Sequence, residues 1–341
     1  MKFEVSLAPK RPSTARLIAG NLLVFVVLLV LVEAAARIFI WRTRGSATAG
    51  LQERTLNLEY EPYVMFGPGW DRTFAAFSNA DARPVVLLVG GSTAQGFAPE
   101  ILESAIASRF GRPVRVLNAA FGGYEARQEV VVASLWAPKL SPRIVISLDG
   151  QNDFEHRLRV PRPGRFYLDE TYHNYLTHPL LAPFTWLLSQ SQAYNGLVRY
   201  RARNALGDWS RYADAIPIYL DAQHSINALA RGLGAERLMV LQPFMTFKQP
   251  LAAEEQAFTA YAYRDGVMRA LYDRAAPALA DLARQDAVGF LDARPIYQGI
   301  AAPLFSDDVH FRSAEGYAIL ARAIAAALPA DALTPRPAGD R

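Results

Sequence analysis

The sequence predicts an α/β protein, built on a parallel sheet with helices on both faces and preceded by one membrane-spanning helix. Three observations carry this. Apolar runs of strand length alternate with helical patterns between residues 84 and 330. Three of those runs end in glycine-rich or polar turns. A single long apolar stretch, Leu17–Trp41, stands near the amino end.

The bulk composition narrows the function. The chain has 341 residues, 51% hydrophobic and 20% charged, enough for one large catalytic domain and an extra segment. The formal charge of +4 comes with no block of Lys or Arg that could track a phosphate backbone, so nucleic acid is not an expected partner. With no cysteine there is no disulfide, no thiolate metal site and no Cys nucleophile. That is compatible with export to an oxidising compartment.

Residues 1–16 carry Lys2, Lys10, Arg11 and Arg16, and form the expected cytoplasmic segment. From Leu17 to Val32 the only polar side chain is Asn21. Leu17–Trp41 exceeds the roughly 20 apolar residues that a bilayer core requires. Glu33 and Arg37 stand four apart and can pair on one helix face. Trp41 suits the membrane interface. A buried core helix is one alternative. A cleaved signal peptide is another, since Ala34-Ala35-Ala36 offers small residues for cleavage. The length of the run favours an uncleaved signal anchor in the inner (cytoplasmic) membrane, with an extracytoplasmic or periplasmic catalytic domain. Residues 42–83 read as linker and lead-in. Within them, Tyr60–Trp70 is an aromatic, turn-rich stretch expected on the domain surface.

The alternating core follows. Pro84–Val89 is the first strand and Pro99–Phe110 a helix. Val114–Asn118 is the second strand, and Tyr124–Ala137 is helical in pattern. Arg143–Asp149, Arg237–Gln242 and Val288–Asp292 complete five strands. Asp214–Gly232 and Ser313–Leu328 read as helices. Such βα repetition implies a parallel sheet covered on both faces.

The first strand delivers Ser92 through Gly90 and Gly91, which permit a sharp turn. Ligands of open α/β sheets bind at the carboxyl ends of strands, so Ser92 is a candidate nucleophile. Gly122-Gly123 and Asn152 follow the second and third strands and open on the same edge. Before the last helix, Asp307 and His310 stand three apart, a spacing that lets a carboxylate reach the imidazole Nδ1–H and free Nε2 for a proton from Ser92. Each piece has a plainer reading. A Gly-Gly-Ser turn is ordinarily only a turn, Gly122-Gly123 could begin a helix, and Asn152 could close an Asx-turn. Asp307 or Asp308 could cap the last helix, although Ser313 with Glu315 suits that role. No Lys follows the glycine spacing after the first strand, so it is not a phosphate loop, and G-x-G-x-x-G is absent.

Together and in this order the motifs resemble the SGNH hydrolases, the GDSL-like esterase/lipase superfamily. Gly90-Gly91-Ser92-Thr-Ala-Gln-Gly96 is similar to the G-D-S-x-x-x-G block. Asn118 with Gly123 five residues on fits the second block, Gly150-Gln151-Asn152-Asp153 the G-x-N-D block, and Asp307-Asp-Val-His310 the D-x-x-H block. The resemblance implies a flavodoxin-like three-layer α/β/α sandwich with a five-stranded parallel sheet, spanning residues 84–330. It implies Ser92 as nucleophile, His310 as base and Asp307 as its orienting acid. The oxyanion hole would be the N–H groups of Ser92 and Gly123 and the Asn152 amide. No cofactor and no metal are implied. The chain departs from the pattern at Gly91, where many members carry Asp, and at Ala120, where glycine is common.

Between Asp153 and the fourth strand, residues 155–212 form an insert rich in aromatic and basic side chains, including Arg165, Tyr172, Trp186 and Trp209. It reads either as a lid or substrate wall or as a small helical subdomain. His156, His173 and His178 lack metal-ligand spacing. Residues 331–341 are expected to fray as a disordered tail. The expected function is a membrane-anchored serine esterase that removes a small acyl group, acetyl foremost, from an extracytoplasmic glycan or lipid. The same triad could instead serve an O-acyltransferase. A non-catalytic envelope scaffold is the remaining alternative, and no oligomeric state is implied.

Overall fold

In a computed structural model the described residues are 14–44, 61, 63–64, 66–77, 82–159, 188, 190–194, 196–197, 215–256 and 262–334. They belong to two compact units, Met1–Leu56 with Thr177–Arg201 and Asn57–Leu176 with Ala202–Arg341. Most of the insert, His173 and His178 lie outside the described residues.

The first unit is dominated by α1, Thr14–Arg44. Of it, Thr14–Arg42 is one helix of 29 residues, long and apolar enough to cross a membrane. At 1.5 Å per residue it spans about 43 Å, against about 30 Å of hydrocarbon. Its large side chains from Leu17 to Val32 are about half exposed or more, whereas Glu33, Ala36, Arg37 and Ile40 are half-buried.

The second unit is the predicted sandwich. Its elements are α2 (Trp70–Ala76), β1 (Val85–Gly90), α3 (Ser92–Gln95), α4 (Pro99–Phe110), β2 (Arg115–Asn118), α5 (Ala126–Leu140), β3 (Ile144–Asp149) and α6 (Gln151–Arg159). After the insert come α7 (Ala215–Gly232), β4 (Glu236–Leu241), α8 (Ala253–Gln256), α9 (Ala262–Asp286), β5 (Gly289–Asp292) and α10 (Ala314–Ala327). The strands lie in the order β2-β1-β3-β4-β5, all parallel. The order reverses at β1, so the chain's topological switch falls beside the end of that strand, where such sheets bind ligands.

Alternation along the strands sets the two faces. Val86, Leu88, Ile144, Ile146, Leu238 and Val240 pack under α4 and α10. Leu87, Val89 and Val145 point the other way, toward α5 and α7. Met239 and Leu241 meet α7 and α9. Local chemistry starts the covering helices where the strands require. Pro99 opens α4, where its missing N–H is no loss. Glu125 and Gln128 form a reciprocal capping box at the start of α5.

Four expectations change. The Tyr60–Trp70 region is core rather than surface at Val64, Phe66 and Trp70, each 1% exposed. The sequence reading assigns no element between the fourth and fifth strands, yet α9 fills 25 residues there. Its apolar stripe of Met268, Leu271, Tyr272, Ala275, Leu279 and Leu282 recurs every three to four residues, a helix signal that its many charges mask. The tail does not fray up to Thr334, because Ala332 and Leu333 are buried and Arg143 donates to the Ala332 carbonyl. Ser313 does occupy the cap position of α10, but its hydroxyl caps nothing there.

Candidate active site

The turn after β1 is shaped by crowding. A Cβ on Gly90 would overlap the Leu148 carbonyl oxygen of β3 and stand 2.5 Å from Ala94 Cβ. A Cβ on Gly91 would overlap Asn152 Nδ2. Gly91 is in extended conformation, so glycine is required there for space and not for a positive φ. Ser92 then begins α3, half-buried, with Gln95 N–H donating to Gly91 O at 2.9 Å.

The second strand end folds over this turn. Ala119 N–H donates to Leu88 O (2.7 Å) and Phe121 N–H to Gly90 O (3.0 Å). Gly122 N–H donates to Gln95 Oε1 (2.9 Å), and a Cβ at Gly122 would lie 3.7 Å from Ser92 Cβ. Gly123 has φ +84, a conformation that favours glycine. Among the described residues, the N–H groups of Ser92 and Gly123 donate to no other protein group.

The third strand end brings Asn152 in the first turn of α6. Its Nδ2 donates to Tyr124 O at 2.8 Å. A second proton on that nitrogen remains, at the position where it crowds Gly91. Asn152 closes no Asx-turn, because the Phe154 N–H donates to Gly150 O (3.2 Å), and Gly122-Gly123 precede α5 by a turn rather than beginning it. Tyr124 is itself fixed: its hydroxyl donates to Phe66 O (2.6 Å) and accepts from Trp70 Nε1 (2.9 Å). Burial raises the Tyr124 phenol well above its usual value, so it stays neutral.

The base arrives on the loop before α10. His310 Nδ1 stands 2.7 Å from Asp307 Oδ2, while Asp307 Oδ1 accepts from Val309 N–H (2.8 Å) and His310 N–H (2.7 Å). Asp307 thus caps its own loop and not α10. Burial alone would raise its carboxyl. The bond from the imidazole, its charge and the two backbone N–H groups outweigh burial and hold it below the usual carboxylate range. An ionised Asp307 fixes a proton on Nδ1 and leaves Nε2 as the working nitrogen. The loop is joined to the nucleophile turn through Thr93, whose hydroxyl donates to Val309 O at 3.3 Å.

All the named groups thus lie at one sheet edge: Ser92, Gly123 and Asn152 on consecutive strand ends, and Asp307 with His310 on a loop bonded to residue 93. Further supports come from residues that the sequence reading gives no part in the chemistry. Asn118 Nδ2 binds Ala94 O (2.7 Å) and Phe97 O (2.9 Å), fastening the chain that leaves α3. Lys248 and Glu255 form a buried ion pair at 2.6 Å, with side chains 1% and 0% exposed. The same Glu255 accepts from Leu304 N–H (2.9 Å) and Phe305 N–H (3.0 Å), at the root of the His310 loop.

No protein-family model matches the chain, and no curated protein matches it. Solved structures do. A variant of Axe2, an acetylxylan esterase from Geobacillus stearothermophilus, superposes with TM-score 0.43 at 14% identity, covering 74% of this chain and 97% of that one. AlAXEase, an acetyl xylan esterase, gives 0.40 at 13%, covering 71% and 98%. BT4096, a gut microbial diltiazem-metabolizing enzyme, gives 0.45 at 13%, covering 72% and 46%. These likenesses are remote, and the chemistry of this chain is argued from its own residues.

Beneath the strand ends lies a buried acidic layer. Asp149 accepts from Tyr219 OH and from Gln223 Nε2 (2.9 Å). Asp153 Oδ1 accepts from Ala126 N–H (3.0 Å), tying α6 to the start of α5. Glu129 is fully buried among them, and among the described residues neither of its oxygens meets a protein donor. Burial first, then the charge of Asp149, raises both Glu129 and Asp153 well above ordinary carboxyl values. Arg237 is the buried cation of the layer, lowered to about 10 by desolvation, and spends its donors on Ser147, Gln223 and Asn227.

Proposed function

We propose that the protein is a membrane-anchored serine esterase of the SGNH type. It removes a small acyl group, acetyl foremost, from an extracytoplasmic glycan or lipid. The observation that carries the reading is the pairing of His310 with an ionised Asp307 on a loop bonded to residue 93. With it go the N–H groups of Ser92 and Gly123, which donate to no described protein group, and the Asn152 amide.

In this reading Ser92 Oγ attacks the ester carbonyl and its proton passes to His310 Nε2. The oxyanion accepts from the N–H groups of Ser92 and Gly123 and from Asn152 Nδ2. Collapse of the tetrahedral adduct expels the alcohol, which takes the proton from His310 and leaves an acyl group on Ser92. Water then attacks this ester with His310 as base, releasing the carboxylic acid and restoring the serine. The α1 helix supports the anchoring part of the reading, and the resemblance in motifs supports the acyl chemistry.

Hydrolysis of p-nitrophenyl acetate and longer-chain esters by the full chain in detergent tests this. Turnover that falls with chain length and is abolished by Ser92→Ala is expected. Equal turnover in Ser92→Ala would overturn the serine mechanism. Acetylated glycan as the main product, given an acetyl donor and a glycan acceptor, would replace hydrolysis with transfer on the same triad.

A further inference from the structure

The described part of the insert is bonded to α1. Glu33 stands in the last third of that helix, and its carboxylate is saturated. Oε1 accepts from Arg37 Nε (2.7 Å) and Gln192 N–H (3.0 Å). Oε2 accepts from Ser191 Oγ (2.7 Å) and Ala193 N–H (3.1 Å). Arg37 Nη2 completes the contact by donating to Gln190 O at 2.9 Å. Ser191 Oγ also accepts from Tyr194 N–H (3.1 Å), so residues 190–194 form a turn from which three donors converge on one carboxylate.

Two physical points give this contact meaning. A charged residue within an apolar spanning helix is costly unless it is paired, and such residues mark functional contacts. Here Arg37 supplies the opposite charge, and three of the four donors come from a segment more than 150 positions later in the chain. Moreover, a leader cut at Ala34–Ala36 would carry Glu33 away and strand the donors of residues 191–193. Beside the seat, Tyr194 and Leu197 are 41% and 49% exposed, and Trp41 of α1 is 57% exposed. Tyr and Trp prefer the headgroup level of a bilayer, and exposed apolar side chains next to them prefer the acyl boundary.

We propose that residues 190–197 are a membrane-interface element of the insert, seated on Glu33 and Arg37, with Tyr194 and Leu197 in the lipid boundary. In consequence α1 is retained in the mature protein as a structural partner of the insert. The proposal rests on the reading of α1 as a span.

The cysteine-free chain makes the test direct. Leu197→Cys in the full chain is labelled with an environment-sensitive fluorophore. The protein is then placed in phosphatidylethanolamine/phosphatidylglycerol vesicles whose acyl chains carry bromine near the carbonyl. Quenching by the brominated lipid is expected, with loss of quenching in Glu33→Ala and partial loss in Ser191→Ala. If Glu33→Ala fails to accumulate, Glu33→Gln, which loses one acceptor oxygen, reads the same contact. Intact mass must include residues 1–44. A membrane-bound chain without quenching, or with quenching indifferent to residue 33, overturns the docked element while sparing the anchor. An intact mass that begins beyond Ala36 overturns both. Turnover of soluble ester reports the esterase reading separately, because neither residue 33 nor residue 197 belongs to the Ser92 site.

Discussion

The two halves of the candidate site are built from opposite materials. The nucleophile and oxyanion half is made of backbone: two glycines without room for a Cβ, two undonated N–H groups, and strand ends hydrogen-bonded to one another. The base half is made of side chains. Asp307 closes the loop on itself, and the buried Lys248–Glu255 pair holds its root. The first half is therefore injured by adding atoms and the second by removing them.

The comparison breaks hardest at Asp307. Asp307→Asn keeps the shape but can no longer enforce a proton on Nδ1, and comparable triads lose about 10⁴-fold in kcat. Steady-state kinetics with p-nitrophenyl acetate should show that loss with little change in KM. Activity within a few-fold of wild type would mean that the charge at residue 307 does not set the working tautomer of His310. Glu255→Ala comes next. It leaves Lys248 buried and unpaired and orphans the N–H groups of Leu304 and Phe305. The cost expected is about 3–5 kcal/mol of stability. Urea denaturation should register this, and the double change Lys248→Met with Glu255→Leu should recover part of it. Gly91→Ala tests the other half. The added methyl displaces the Asn152 amide, so kcat should fall about 10²–10³-fold, the cost of one oxyanion donor. Asn152→Ala should cost about the same, and the double variant hardly more than either alone. Independent, additive losses would refute the crowding argument.

The same contrast explains how much was legible in the sequence. The backbone half reads well because it is local. Glycines at the ends of apolar runs and an Asn directly after a third strand are each fixed by their neighbours in the chain, and five alternating strands predicted the sheet. The Asp307–His310 contact is local too, three residues apart. What could not be read is long-range. Lys248 and Glu255 look like ordinary surface charges until the fold buries them beside residues 304 and 305. Asn118 looks like the end of a strand, and nothing announces that it ties down the exit of α3. Gly91 was legible as a turn, but its reason, the position of Asn152 in another βα unit, was not. Trp70 and Phe66 were misread as surface because their partner, Tyr124, lies some 55 residues away.

The acidic layer sharpens the comparison a last time, because the backbone half rests on side chains after all. Burial and the neighbouring Asp149 charge oppose ionisation of Glu129 and hold its carboxyl above the ordinary value in the folded protein, with Asp153 and Arg237 also facing it. In the unfolded chain it ionises near the ordinary glutamate value. A raised folded pKa means that the folded state binds the extra proton, so stability is fully present below the unfolded value and declines as pH rises toward the folded one. Glu129→Gln keeps the shape of the protonated acid and removes its titration. The variant should match wild type near pH 4 and gain on it as pH rises. Asp153 titrates in the same sense and remains, so the variant should still lose some stability with pH, on a shallower slope. Thermal melts from pH 4 to 8 measure the difference. Parallel slopes for the two proteins would mean that Glu129 is ionised in the fold and that a buried donor satisfies it. The layer would then be an ion network, not a proton-holding shelf under Asn152.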